Sequence, residues 1–235
     1  MNILCTICAR KGSKEIKNKN IIPFNGKPLI YHTINQARKL NIFDKIVCSS
    51  DSRKILNIAK KNNVEFLIQR EKKLSTNKIP KIDVIRQALI LSEKKFKKKF
   101  NYIIDLDVTS PLRSMADIKN SLNFIKKTTT DCNLITICPS RKNPYFNMVE
   151  IDKTKKIKII KSIQKKIISA RQSAPKVFEV NAGIYIWKRS FLINNNKLIN
   201  SHTRYFVTPY ERSIDIDSKI DLKIAEFLFK NKKYR

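Results

Sequence analysis

The feature that most constrains the fold is a regular alternation of short apolar runs with amphipathic helical patterns. Short apolar runs are typical of buried strands, and apolar residues spaced three or four apart are typical of helices. The predicted strands are residues 3–8, 45–49, 65–68, 102–106, 134–138 and 182–187. The predicted helices are residues 28–40, 52–62, 82–96, 116–127 and 219–229. This order predicts an α/β fold with a doubly wound, Rossmann-like, mainly parallel sheet.

The alternation stops between about residues 140 and 180, where Pro144 and Pro175 enclose β-branched residues mixed with lysines. We therefore expect a single domain over residues 1–235, with an arm or hairpin inserted at about 140–180. An isolated two-stranded arm is only marginally stable. We expect this one to pack on a second subunit, as the dimerisation element of a homodimer.

The formal net charge of +31 is the most extreme bulk property of the chain. Such a charge would suit a protein that binds nucleic acid through its phosphates. Lysine is nevertheless spread along the whole chain, and runs of this kind usually form solvated faces. Nucleic acid is therefore disfavoured as the main partner, although a non-catalytic nucleic-acid-binding protein remains the alternative from another class.

No apolar run approaches the roughly 20 residues of a membrane span, and the first residues lack the pattern of a secretory signal. We expect a cytoplasmic protein with no membrane partner. Its five cysteines then argue against a disulfide framework. With only two histidines, a His-based zinc site or a Ser-His-Asp triad is disfavoured as well.

The first predicted strand ends in a loop that contains Arg10, Gly12, Ser13, Lys14 and Lys19. The chain has only three glycines, so Gly12 indicates either a positive φ or a backbone close to a ligand. A turn with free backbone N–H groups beside Arg and Lys can hold phosphate. The loop predicts a nucleotide or another phosphorylated substrate.

Two pairs of carboxylates are candidate metal or catalytic groups. Asp215 and Asp217 would face the same side of a strand and could hold Mg²⁺, but a helix N-cap explains an Asp here equally well. Asp105 and Asp107 end the strand 102–106, at the carboxyl edge where α/β proteins bind ligands. There the alternative is that Thr109 simply caps the following helix.

A polar strand face is predicted near the end of the chain. Asn181, Gly183 and Tyr185 alternate, so one face would present an amide, a bare backbone and a phenol. Together with Arg171 and Gln172 they suggest a pocket for a sugar or a carboxylate. A solvent-facing edge strand is the alternative.

Taken in order, these motifs resemble the CMP-sialic acid synthetase family, the acylneuraminate cytidylyltransferases. The family's opening loop A-R-x-G-S-K-G-I-P-x-K-N corresponds to residues 9–20, and its T-S-P-L-R to residues 109–113. Its R-Q-x-x-P and N-A-x-I-Y-x-W correspond to residues 171–175 and 181–187, and its S-x-D-I-D to residues 213–217. The resemblance covers essentially the whole chain.

The resemblance implies a sheet of the nucleotidyltransferase type and a Mg²⁺-dependent transfer of CMP from CTP to the anomeric hydroxyl of a nine-carbon sugar acid. It implies catalytic roles for Lys14, Lys19, Asp215 and Asp217. It implies nucleotide contacts by Arg10, Gly12, Ser13, Lys14, Asn20 and Arg70, and sugar contacts by Arg171, Gln172, Asn181 and Tyr185. Metal binding is implied for Asp215 and Asp217, with Asp107 as a further candidate.

The chain departs from the family pattern at two places. Glu15 and Lys17 stand where the loop usually has glycine and proline, and an acid beside a triphosphate suggests an inactive relative as one alternative. Asp107 stands where many members have Gln, and the form D-L-D-V-T-S-P resembles a subset linked to legionaminic acid. The nearest rival function is another sugar nucleotidyltransferase.

Overall fold

The computed structural model describes residues 1–13, 15–76, 78–163 and 168–231. Its strands are β1 (Ile3–Cys8), β2 (Pro23–Phe24), β3 (Lys27–Pro28), β4 (Lys45–Ser50), β5 (Phe66–Gln69), β6 (Tyr102–Leu106), β7 (Asn133–Pro139), β8 (Val149–Ile151), β9 (Ile157–Ile159), β10 (Phe178–Lys188) and β11 (Arg204–Val207). Its helices are α1 (Leu29–Leu40), α2 (Arg53–Lys61), α3 (Lys81–Phe96), α4 (Met115–Lys126), α5 (Arg189–Asn194) and α6 (Lys219–Lys230). In the described part of the chain, no helix is both long enough and apolar enough to cross a membrane.

Seven strands form one sheet in the order β11-β7-β10-β6-β1-β4-β5. β1 lies between β4 and β6 and pairs in parallel with both. The pairs β4–β5 and β7–β11 are also parallel. Only β10 runs antiparallel to its neighbours β6 and β7 in this sheet of the described residues. The predicted doubly wound, mainly parallel α/β sheet is confirmed.

Helices cover both faces of the sheet. On one face, α1 buries residues spaced three and four apart, including Ile30, Ile34 and Ala37, in the larger of two apolar cores. On the other face, α3 packs Ile85 and Leu89 into a second core that contains Trp187. Burial on both faces explains why the central strands β1 and β6 are almost continuously apolar.

Residues 213–217, whose carboxylates would face the same side on a strand, do not form a strand. This segment is extended but lies outside the sheet, and its contact with the sheet's edge includes a bond from the Ile216 N–H to the Thr109 carbonyl at 2.9 Å. The alternation expected of a strand still holds, because Ile214 and Ile216 are buried in the larger core. The carboxylates of Asp215 and Asp217 are thereby directed away from that core.

Within the predicted arm, β8 and β9 form an antiparallel hairpin in which Val149 pairs with Ile159 and Ile151 with Ile157. The four side chains are exposed. A two-stranded hairpin buries little apolar surface by itself. The hairpin therefore has little intramolecular packing of its own.

Candidate active site

The parallel strands β1, β4 and β6 end at the rim of a cavity of about 330 Å³. The cavity is lined by Cys8, Arg10, Gly12, Ser13, Lys19, Asn20, Arg70, Leu74, Thr76, Ile79, Lys81, Val84, Asp107, Thr109 and Asp215. Eight predicted site residues are in this lining: Arg10, Gly12, Ser13, Lys19, Asn20, Arg70, Asp107 and Asp215. The carboxyl edge of the sheet is where a ligand site was expected from the strand order.

Backbone bonds hold the loop after β1 against the end of β4. The Ala9 N–H donates to the Ser49 carbonyl at 3.0 Å, and the Lys11 N–H donates to Asp51 Oδ1 at 2.7 Å. The Asn20 amide donates to the Arg10 carbonyl at 2.9 Å. Asn20 therefore fixes the loop as well as lining the cavity.

Gly12 lies in open space at the cavity wall. A Cβ built at this position would have no heavy atom within 4 Å, and the glycine with a left-handed φ, 76°, is Gly26 in the β2–β3 turn. A positive φ is therefore not the reason for Gly12, and its predicted contact with a ligand stays a prediction. Lys14, which was predicted to bind nucleotide, lies outside the described residues, and Glu15 is exposed and absent from the cavity lining.

Arg70 and Lys19 are two of the cations that line the cavity. The buried Arg70 guanidinium donates from Nε to Ser49 Oγ at 3.2 Å and from Nη2 to the Ser49 carbonyl at 2.7 Å. Lys19 Nζ lies 2.5 Å from Asp217 Oδ1. Both side chains are thereby held at the wall of the cavity.

Asp107 and Asp215 both line the cavity, but their pKa values are shifted in opposite directions. Burial, together with the charge of Asp107, raises the pKa of Asp215 to about 6. For Asp107 burial also opposes ionisation, but Lys81 and Thr109 outweigh it and hold the pKa at about 2. The cavity thus contains one firmly ionised carboxylate and one whose charge a cation would stabilise.

Asp217 is not a helix cap. The N-cap of α6 is Ser218, which forms a reciprocal capping box with Asp221. The Asp217 carboxylate is 67% exposed and pairs with Lys19. The structure therefore removes the capping interpretation for Asp217 and leaves its predicted role open.

The three predicted metal ligands do not form one cluster. Among the described residues, no group of three or more His, Cys, Asp or Glu side chains is arranged to hold a metal ion. Asp107 is occupied by Lys81, and Asp217 by Lys19. Asp215 Oδ1 is buried and has no hydrogen-bond partner among the described residues.

Lys81 and Thr109 line the cavity but were not among the predicted site residues. Lys81 is the first residue of α3, and its Nζ lies 3.0 Å from Asp105 Oδ2 and 2.5 Å from Asp107 Oδ2. A single lysine carries little information in so lysine-rich a chain. Its place directly after Pro80, at a helix start, was the available signal.

The sequence of the chain matches the model of the cytidylyltransferase family over residues 4–232. The chain belongs to this family. A protein of Campylobacter jejuni named CMP-N,N'-diacetyllegionaminic acid synthase is 44% identical over 226 residues, which are 96% of this chain and 94% of that protein. A Campylobacter coli protein named post-translational flagellin modification protein B is 44% identical over 230 residues, 98% and 96% of the two chains.

The resemblance to CMP-sialic acid synthetases is thus confirmed for this cytidylyltransferase. Its fold also matches that of a solved CMP:2-keto-3-deoxy-manno-octonic acid synthetase in complex with CTP, with a TM-score of 0.69. That match covers 98% of this chain and 99% of the solved one at 13% sequence identity. At such low identity the match supports the fold alone.

The cytidylyltransferase does not present Asn181 and Tyr185 on one strand face, so that expectation is wrong. Val180 pairs with Ile137 and Tyr185 with Ile135, so the four residues 181–184 of β10 lie opposite the single residue 136 of β7. This bulge includes Ala182 with a left-handed φ of 54°. It breaks the period of two on which the prediction rested.

The bulge turns the Asn181 side chain into a buried polar cluster. Its Oδ1 accepts from Thr136 Oγ1 at 2.6 Å, and its Nδ2 donates to Thr208 Oγ1 at 2.6 Å and to Ser213 Oγ at 2.9 Å. Tyr185 lies in the second apolar core, between the sheet and α3, where its ring stacks on Trp187. Neither residue is in the cavity lining.

Arg171 and Gln172 lie in a short exposed helical turn, Arg171–Ser173, outside the cavity lining. The Arg171 guanidinium donates to the Arg141 carbonyl. The chain therefore assembles the predicted nucleotide side of the site, whereas the predicted sugar side is dispersed.

Proposed function

We propose that this cytidylyltransferase transfers CMP from CTP to the anomeric hydroxyl of a nine-carbon, sialic-like sugar acid and releases pyrophosphate. The observation that carries the proposal is the cavity at the carboxyl ends of β1 and β6, where Arg10, Lys19 and Arg70 surround the open backbone at Gly12. Such a site suits a polyphosphate. The name of the 44% identical Campylobacter jejuni relative, CMP-N,N'-diacetyllegionaminic acid synthase, supports the nine-carbon acid.

In this reaction the anomeric oxygen forms a bond to the α-phosphorus, and the bond from that phosphorus to the bridging oxygen of the β-phosphate breaks. Pyrophosphate leaves with that oxygen, and the hydroxyl proton passes to water. Phosphoryl-type transfer depends on charge neutralisation and in-line positioning more than on a nucleophilic side chain. Arg10 and Lys19 would hold the phosphates, and Ser13 and Asn20 would shape the loop around them. Arg70, fixed by Ser49, would contact the nucleotide.

The carboxylates fit Mg²⁺ at Asp215. A buried carboxylate oxygen without a hydrogen-bond partner is a hard donor of the kind Mg²⁺ prefers. Asp217, two residues later, would be the second ligand after giving up Lys19. When bound, the ion would neutralise the triphosphate; Asp107 is not assigned to it, because Lys81 occupies its carboxylate.

The sugar side of the site is proposed to be completed by a second copy of the chain in a homodimer. Arg171 and Gln172 are exposed and outside the cavity lining of their own chain. The exposed apolar hairpin β8–β9 lies in the same inserted segment. An arm that packs on a partner would bury the hairpin and bring new side chains to a neighbouring site.

The metal assignment is tested by Asp215→Asn and Asp217→Asn. Each variant should reduce CMP-sugar formation at least about a hundredfold, because charge neutralisation at the phosphates is lost. Asp131→Asn, at the opposite end of the sheet, is the control and should keep full activity. Full activity of the doubly substituted protein, with unchanged circular dichroism, would contradict the assignment.

A further inference from the structure

Lys81 connects the start of α3 with the end of β6. Its Nζ lies 3.0 Å from Asp105 Oδ2, 2.5 Å from Asp107 Oδ2 and 4.5 Å from the centre of the Tyr185 ring. Asp105 is fully buried, and its other oxygen accepts from Thr6 Oγ1 at 2.7 Å. One ammonium group is therefore shared by two carboxylates and one aromatic face.

The contacts of Lys81 are important because several carboxylates lie at the site where an anionic nucleotide is proposed to bind. Asp105 and Asp107 share the ammonium of Lys81, and Asp215 lines the same cavity as Asp107. Like charges gathered in a partly buried site repel one another. In the described part of the chain, Lys81 is the only cation within ion-pair distance of Asp105 or Asp107. The nearby Arg113 donates to the Asp107 carbonyl instead.

Asp107 and Asp215 differ in how many of their carboxylate oxygens have a hydrogen-bond partner. Asp107 Oδ1 accepts from the N–H and the hydroxyl of Thr109 at 3.1 and 3.0 Å, and Oδ2 accepts from Lys81. Both oxygens of Asp107 are therefore engaged. Asp215 keeps one buried oxygen without a hydrogen-bond partner among the described residues.

We propose that Lys81 is a positioning residue that serves as the resident counter-cation of the site. It neutralises and fixes Asp105 and Asp107, so that an anionic nucleotide can bind beside them, and it leaves Asp215 as the carboxylate open to a cation. This inference rests on the proposed function, because it takes CTP as the anion.

The test is a double-mutant cycle on the full chain, read out as the dissociation constant for CTP by titration calorimetry, with and without Mg²⁺. Lys81→Met should weaken CTP binding at least about tenfold, because it leaves Asp105 and Asp107 without their cation. Adding Asp107→Asn to Lys81→Met should restore binding to within about threefold of the unsubstituted protein. A merely structural lysine would not show this rescue.

The matched control is Lys78→Met, which removes the same charge from an exposed position outside the cavity lining and should not change CTP binding. If Lys81→Met does not fold, as judged by thermal melts, Lys81→Arg is tested in its place. A dissociation constant for CTP within about threefold of the unsubstituted protein would support the inference, and a tenfold or larger loss of affinity would contradict it.

Unchanged binding in Lys81→Met, or no recovery in the double variant, would overturn the role of Lys81 while leaving the proposed function intact. An unsubstituted protein that does not bind CTP would instead overturn the proposed function, and this inference with it. The two failures are therefore distinguishable in one set of titrations.

Discussion

Gly12 and Gly26 illustrate how differently single residues of one type are constrained. A Cβ added to either glycine would meet nothing within 4 Å, but only Gly26 has a left-handed φ, 76°, and it follows Asn25, whose φ is 44°. Two successive left-handed residues are typical of a tight hairpin turn. The backbone conformation therefore favours glycine at position 26, whereas at position 12 only the proposed nucleotide contact would do so.

Gly12→Ala should leave the free energy of unfolding unchanged within about 0.5 kcal/mol, because the added methyl group meets nothing. It should weaken CTP binding about tenfold, since the methyl group points into the space a phosphate would use. Gly26→Ala should do the reverse and cost about 1 kcal/mol of stability without affecting binding. Chemical denaturation measures the stability of both variants, and calorimetry measures their CTP binding. A loss of stability in Gly12→Ala would contradict the prediction.

Glu93 carries a stabilising interaction that depends on pH. Burial raises the pKa of Glu93, but Arg189, Lys99 and the Phe100 N–H outweigh it, so the pKa lies below its ordinary value. A depressed pKa contributes stability above the ordinary value, and the contribution is lost as the pH falls through the folded-state pKa.

Glu93→Gln should therefore lower the free energy of unfolding by about 1–2 kcal/mol at pH 7, a figure reduced for the partly exposed Arg189. The difference between the two proteins should shrink as the pH is lowered below about 4.5. Glu71→Gln, which breaks the exposed pair with Lys73, is the control and should have almost no effect. Urea titrations at several pH values measure both; a difference that does not vary with pH would contradict the account.

At the level of elements, the sequence predicted most of the sheet because its strands are buried on both faces. β1 and β6 were predicted with the bounds observed, since both runs are buried and almost continuously apolar. The edge strand β11, Arg204–Val207, was missed because it is short, half exposed and begins with a charge. The bulge in β10 was missed because the residues that Asn181 bonds there, Thr136 and Thr208, are distant in sequence.

The hairpin β8–β9 is the element whose role is most open to test. Ile151 and Ile157 pair across it and are 70% and 69% exposed. In a homodimer that buries this surface, Ile151→Lys together with Ile157→Lys should convert dimers to monomers, because buried lysines without partners are costly. Sedimentation velocity measures this, with Ile90→Lys as the exposed control on α3. A monomeric unsubstituted protein would contradict the proposed dimer.

Over the whole molecule, the alternation of elements predicted where the site lies, because parallel strands bring their carboxyl ends to one edge. Residues next to those ends, such as Arg10 and Asp107, were therefore predicted in the correct place. Lys81 was not, since it reaches the site from the start of α3 and is one lysine among many. Asn181 and Arg171 were predicted to lie at the site but lie outside the cavity lining of their own chain.

The net charge of +31 is also a property of the whole molecule, and it does not by itself indicate a partner. Nucleic-acid binding would depend steeply on salt and would require no CTP turnover. The cavity instead concentrates Arg10, Lys19, Arg70 and Lys81 at one edge of the sheet. This concentration of cations in one cavity favours a small polyanion, such as a nucleoside triphosphate, over an extended polyanion such as nucleic acid.

The measurement that tests the central claim most directly is pyrophosphate release with CTP, Mg²⁺ and N-acetylneuraminic, legionaminic, pseudaminic or 3-deoxy-octulosonic acid. We predict release with a nine-carbon acid, fastest with a legionaminic acid, and none without a sugar acid. Release only with 3-deoxy-octulosonic acid would show a different sugar nucleotidyltransferase. No release with any acid, from a protein that is folded, would contradict the proposed reaction.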